Sequence, residues 1–274
     1  MTQKTIVFTI TPGRTGTLYL SNLLNENLLN ANVYHERMGP YGFGLHTPEA
    51  SHFLQYNEFG VTKHIRKFWL RKFRYILNES CNFYIEVSHF LSKAGLIENL
   101  NILPDNVYIK LIHLTRETED VALSFLNRGT FLNFGFTWLF TLDPRYTNII
   151  INSKPFHQFG AIGYSLWYVL EMRARAAYYK KITQDDSRIE WITTSASKLS
   201  NTEQACHFMQ NIQDNYDISH PIIPEKKHQT SHWNITNQQR NKLSSIYQSL
   251  NGDPEKLGEW FYDSGQRLSD PVLV

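Results

Sequence analysis

The stretch TIVFTITPGRTGTLYLSNLL, Thr5 to Leu24, carries the reading on which the fold turns. Its first half alternates apolar and hydroxyl-bearing side chains as a strand does, and its second half places leucines at helical spacing. Between them stands Pro12-Gly13-Arg14-Thr15-Gly16-Thr17. A turn of this kind gathers unpaired backbone N–H groups, two hydroxyls and the positive end of a helix dipole around one point. Gly16 allows close backbone approach, Gly13 supplies turn flexibility, and Arg14 adds a planar cation suited to phosphate or sulfate oxygens. The turn reads as an anion cradle, with an ordinary strand-to-helix turn capped by Thr15 as the competing reading.

Outward from this turn, short apolar segments recur at Val33–His35, Phe83–Ser88, Tyr108–Thr115 and Ile189–Thr193. Helical patterns separate them, at Leu18–Leu29, Ile65–Leu77, Glu119–Asn127, Phe159–Lys181, Thr202–Ile212 and Gln238–Leu250. Strands alternating with helices predict an α/β fold: a doubly wound, mainly parallel sheet flanked by helices, in one domain spanning 1–274. Ligands then gather outside the carboxyl ends of the strands. The least regular stretch, Gly129 to Phe156, has Phe131, Phe134, Phe136, Trp138 and Phe140 beside Asp143-Pro144. It reads equally as an active-site flap or as a buried insertion.

Composition excludes several classes. A net charge of +2 is too small to argue for nucleic acid, and the basic run KHIRKFWLRKFR (Lys63–Arg74) reads first as a solvated amphipathic helix face. Two cysteines, Cys81 and Cys206, form no metal-ligand spacing and predict a reducing compartment. The first strand begins by Thr5, leaving no room for a signal peptide, and the apolar run Ala161–Leu170 is too short for a membrane span. The expectation is a cytoplasmic protein with no membrane or nucleic-acid partner, no metal, and a small-molecule substrate; the oligomeric state stays open.

The ligand of the cradle is narrowed by what the turn lacks. A nucleoside-triphosphate loop places a lysine directly after its second glycine; here Thr17 and Leu18 follow Gly16, and no GxGxxG is present. The arrangement instead resembles the 5′-phosphosulfate loop of sulfotransferases dependent on 3′-phosphoadenosine 5′-phosphosulfate (PAPS), whose members read [KR]-[ST]-G-T-T or close to it. Arg14-Thr15-Gly16-Thr17 matches, with Leu18 where a second hydroxyl is common. A second match lies in YIKLIHLTRETEDVALSFLNR, Tyr108 to Arg128: Arg116 at a strand end precedes Ser124 by eight residues, the separation of the family's 3′-phosphate motif, and Asp120 also fits. Glu117-Thr118 replaces the usual Asp/Asn-Pro. The resemblance covers Thr5 to about Arg128 and is only topological beyond. It implies a P-loop-like sulfotransferase architecture, PAPS as donor and PAP as product. It further implies a basic C-terminal phosphate loop, for which Lys226, Lys227 and His228 are the candidates.

Sulfuryl transfer also needs a group to take the acceptor's proton. Two places qualify by resemblance. His35-Glu36 follow the second strand, where several family members carry a catalytic glutamate; Glu86-Val87-Ser88-His89 follow the third, where others carry a glutamate or histidine. Val87 stands where those others have lysine. The ranking is Glu36, then His35 and His89, then Glu86. A secondary metabolite or a carbohydrate is the expected acceptor class, O- and N-sulfation being undecided. Two other classes stay open: a P-loop kinase or ATPase, and a non-catalytic PAP-binding protein of the same fold.

Overall fold

The computed structural model describes residues 4–132, 140–213, 220–225, 235–250 and 252–268. In chain order these form β1 (Lys4–Ile10), α1 (Thr17–Asn27), β2 (Ala31–His35), α2 (Ala50–Phe59), α3 (Lys63–Asn78) and β3 (Phe83–Val87). Then follow β4 (Val107–Thr115), α4 (Thr118–Asn127), α5 (Lys154–His157) and α6 (Gly160–Ile182). The chain continues through β5 (Ile189–Ser195), α7 (Thr202–Ile212), α8 (Asn237–Ser249) and α9 (Pro254–Asp263). Two 3₁₀ segments, Leu91–Lys93 and Ile97–Ile102, lie between β3 and β4.

The five strands form one parallel sheet in the order β2-β3-β1-β4-β5, as the alternation of elements predicts. β1 lies at the centre, with Phe8 level with Glu86 of β3 and Leu111 of β4. Its residues alternate between two apolar layers, because successive side chains of a strand point to opposite faces. Ile6, Phe8 and Ile10 pack on α3, α6 and α9 through Phe68, Tyr179 and Phe261. Val7 faces Leu20, Leu23 and Leu24 of α1 and Met209 of α7. Burial on both faces explains why the strands read as short apolar runs. Each fully buried aromatic or aliphatic side chain here stabilises the fold by about 1.5–3 kcal/mol, so Phe8, which has no exposed surface, anchors one layer.

α2, α5 and α9 have no counterpart among the predicted helices. α2 has weak periodicity and starts from a Glu49–His52 capping box; α9 starts at Asp253, which caps Glu255 N–H, with Pro254 in the first turn. Those caps are the signals that periodicity alone passes over. The described parts of Gly129–Phe156 mix buried and exposed residues. Leu142 and Asp143 are buried, Glu171 accepts the N–H groups of Ile150 and Ile151, and Arg175 donates to the carbonyl of Asn148. Phe134, Phe136 and Trp138 lie outside the described residues. Among the described residues no helix is long and apolar enough to cross a membrane.

This topology decides where a site can form. From β1 the chain leaves toward β2 on one side, and from β4 it leaves toward β5 on the other. The crevice between their carboxyl ends is a topological switch point.

Candidate functional site

The turn after β1 is built from unusual backbone. Gly13, Arg14 and Gly16 all have positive φ, at 91°, 61° and 97°, and for Arg14 that is a strained state. Gly16 caps α1 with no side-chain hydrogen bond, and the first turn holds no acidic residue. The helix N-terminus therefore offers its amides and its dipole to an anion. The loop is held from within by a 2.6 Å hydrogen bond between the hydroxyls of Thr11 and Thr15. It is held from without by Tyr168 of α6, whose hydroxyl donates to the Pro12 carbonyl at 2.7 Å. A Cβ on Gly16 would lie 2.7 Å from the Cβ of Ala196, so the backbone approach there requires glycine. Leu18 contributes only its backbone, its side chain being exposed.

The turn after β4 meets it. Arg14 Nε donates to Ser124 Oγ at 2.9 Å across a separation of 110 residues, and Arg116 Nη1 reaches the Arg14 carbonyl at 3.4 Å. Arg116 also pairs with Asp120 at 3.1 Å, one helical turn along. Burial, followed by the charges of Arg128 and Arg116, lowers the Arg14 guanidinium to about 10. Both burial and the two neighbouring cations disfavour the charged guanidinium here. The sequence places Arg128 at the end of the motif without a role; the structure brings it to this cluster.

The two places ranked separately for the base are one place. Glu36 Oε1 lies 3.8 Å from Nε2 of His35 and 3.7 Å from Nε2 of His89. Glu36 has a positive φ of 39°, a further strained position at the mouth of the crevice. His35 Nε2 contacts the Thr17 hydroxyl at 3.1 Å, and that hydroxyl bonds the Glu36 carboxylate, tying the base cluster to the first turn of α1. Burial raises the Glu36 carboxyl, while Lys93, Arg128 and Arg14 and the Thr17 bond pull it back. Burial lowers His35. Burial and then the charge of Lys93 hold His89 well below its ordinary value. The histidines are thus neutral near neutrality, and the carboxylate is the group suited to take a proton.

Lys93 is the residue that sequence reasoning missed. Its Nζ lies 2.7 Å from His89 Nδ1, 2.9 Å from the Tyr168 hydroxyl and 2.6 Å from the Phe140 carbonyl. As an ammonium it donates all three bonds, which leaves the His89 proton on Nε2, facing Glu36. Burial depresses Lys93 well below its ordinary value, and Glu36 opposes that. Lys93 lies six residues beyond Val87 and reaches His89 by way of a 3₁₀ turn, a return that strand spacing does not display.

Glu86 does not join this cluster. It points into the opposite layer, where its carboxylate bonds Lys72 at 2.5 Å and Tyr84 at 2.6 Å in full burial. Its place in the ranking is corrected to a core ion pair, because strand alternation sends Glu86 and Val87 to opposite faces. Lys226, Lys227 and His228 lie outside the described residues. One trio with metal-ligand character occurs among the described residues, Glu49, His52 and His64, with donor atoms within 4.8 Å of one another. The two rings stack at 4.2 Å and 12°, so their lone pairs run parallel rather than converge, and His52 Nδ1 already accepts the Glu49 N–H. Glu49 and His52 form the capping box of α2, and His64 stacks on it from α3.

In comparisons with known proteins, no family model and no curated protein matches this sequence.

Proposed function

We propose that the chain is a PAPS-dependent sulfotransferase of P-loop-like architecture, transferring a sulfuryl group to a hydroxyl or amine of a small acceptor. The observation that carries the reading is the meeting of Arg14 and Ser124, from the turns after β1 and β4, beside an uncapped helix N-terminus. The donor set fits a phosphosulfate: backbone amides, hydroxyls and three arginines, without a carboxylate in the first turn of α1. A magnesium nucleotide would call for a lysine in the loop that Thr17 does not supply.

In this reading the bond between sulfur and the bridging oxygen breaks as the acceptor oxygen or nitrogen bonds to sulfur in line, and PAP leaves with the electron pair. Arg14 and the amides at the start of α1 neutralise charge developing on that leaving oxygen. Arg116 and Ser124 hold the 3′-phosphate. Glu36 takes the acceptor proton, His89 Nε2–H orients the carboxylate, and Lys93 holds the His89 tautomer. The strained backbone at Arg14 and Glu36 keeps both groups aimed before substrate arrives.

Calorimetric titration with PAP, ADP and ATP, followed by transfer of labelled sulfate from PAPS to an acceptor panel, tests this. PAP is expected to bind at least tenfold more tightly than ADP without magnesium, since a charge-assisted bond contributes roughly 1.5–3 kcal/mol. Equal binding of PAP and ADP rejects the assignment. Tight PAP binding without transfer to any acceptor leaves a PAP-binding protein of the same fold.

A further inference from the structure

α3 has a surface that the proposed chemistry does not use. Its sequence, KHIRKFWLRKFRYILN, holds six Lys and Arg and no Asp or Glu. The chain's overall charge is +2, so the remainder carries −4 and the molecule is electrically polarised toward this helix. Ile65, Phe68, Trp69, Phe73 and Ile76 pack inward, and Lys72 is consumed in the buried pair with Glu86. The other five cations, Lys63, Arg66, Lys67, Arg71 and Arg74, are exposed. The side chains of Lys63, Arg66, Lys67 and Arg74 have no hydrogen bond or ion pair among the described residues, while Arg71 donates to the Gly44 carbonyl.

An outer face made only for solubility would intersperse both signs of charge. This one instead sets Leu70 and Leu77, 44% and 37% exposed, along the middle of the basic face. At 100° per residue Lys63, Leu70 and Leu77 fall within 40° of one another, with Arg66 on one flank and Lys67, Arg71 and Arg74 on the other. The Arg71–Gly44 bond joins the helix to the loop after Glu36, which exposes Met38 and Tyr41, 53% and 91% accessible. Two exposed leucines among cations, beside a loop presenting a methionine and a tyrosine, form a surface with both ionic and apolar elements. That combination matches an anionic lipid surface, where phosphates meet the cations and the apolar tips enter the headgroup boundary.

We propose that the outer face of α3, with the adjoining loop at Met38–Leu45, docks the protein peripherally on anionic membranes. Charge complementarity selects the partner, and the exposed leucines favour lipid over a nucleic acid, whose backbone offers phosphates but no apolar interior. The proposal is independent of the sulfotransferase reading, since docking is measured without turnover.

Vesicle flotation with the full chain tests it, using phosphatidylcholine vesicles with and without phosphatidylserine at low and high salt. The protein is expected to float with the anionic vesicles only, and to be released by high salt. Arg66→Gln, Lys67→Gln and Arg74→Gln are each expected to reduce partitioning by about fivefold. Leu70→Ser with Leu77→Ser is expected to weaken binding with the salt dependence kept. These positions are exposed, and circular dichroism checks that the variants remain folded. Absence of binding to anionic vesicles, or a triple Gln variant that binds like the wild type, overturns the proposal. Binding to a short RNA or an acidic peptide in place of vesicles also overturns it and reassigns the face.

Discussion

Glu36 Oε1 stands 3.7 Å from His89 Nε2, joining the end of β2 to the end of β3 across a strand pair in parallel register. In the proposed reaction His89, neutral and bonded through Nδ1 to Lys93, orients the carboxylate rather than replacing it. Glu36→Gln keeps the shape and removes the proposed base. Transfer is therefore expected to fall by about 10²–10⁴ with PAP affinity near wild type. His89→Ala is expected to lose less, mainly through misplaced Glu36. Single-turnover rates and PAP titrations check both; an active Glu36→Gln with a dead His89→Ala reverses the roles.

Lys93 acts on Glu36 through charge and on His89 through a hydrogen bond. In the proposed reaction the acceptor proton passes to ionised Glu36, so activity is expected to rise with pH through the pKa of that carboxyl, which burial has raised. Lys93→Met removes the foremost charge opposing that rise. The acidic limb of the kcat/KM profile is expected to move to higher pH, with His89 rising as its own repulsion from Lys93 is lifted. An unmoved limb with merely lowered activity would assign Lys93 to packing alone.

Gly16 combines a φ of 97° with an approach to Ala196 that leaves no room for a Cβ. Gly16→Ala strains the loop and displaces the amides at the start of α1. A loss of PAP affinity is expected, together with a destabilisation of about 1–3 kcal/mol. Arg14→Ala is expected to act differently, lowering kcat more than it weakens PAP binding, because in the proposed transfer its charge matters most as the leaving oxygen becomes anionic. A change in KM alone would limit Arg14 to holding the nucleotide.

Much of the fold was legible because β1 and β4 state their burial in their composition, and because α1, α3 and α6 carry long periodic patterns. The turns after β1 and β4 were legible as two motifs, each following a strand; the bond between Arg14 and Ser124 that joins them was not. Nor were three further features. The return of Lys93 depends on a 3₁₀ turn with no periodic signal. The separation of Glu86 from His89 depends on which face of β3 Glu86 occupies and on the turn that His89 enters after the strand. The merging of Glu36 with His89 depends on β3 pairing with β2, and sequence order alone does not give strand order.

Glu86 and Lys72 make a structural prediction of their own. Both side chains are fully buried at 2.5 Å, and Tyr84 donates a second bond to the carboxylate. Lys72→Met leaves that carboxylate buried and uncompensated, and about 3–5 kcal/mol of stability is expected to be lost. Replacing both residues with apolar ones of similar volume is expected to recover most of it. Chemical denaturation measures the difference, and PAP binding by the folded fraction should be unchanged. A coupled loss of PAP binding would return Glu86 to the site.

His113 on β4 and His52 on α2 predict how the fold responds to acid. Both are buried, and both are lowered from 6.5 to about 4; burial is the main cause, reinforced by Lys180 at His113 and by His64 at His52. The unfolded chain therefore binds more protons than the folded one across that interval, and stability rises with pH there. The contribution is complete above 6.5 and is lost as pH falls toward 4, at about 3 kcal/mol per histidine in full. Urea midpoints across this range are expected to drop accordingly. His113→Gln should remove about half of the drop that the two supply, whatever its effect at neutral pH. A wild-type midpoint that stays level from pH 6.5 to 4 would mean that both imidazoles take up their protons without leaving their buried sites.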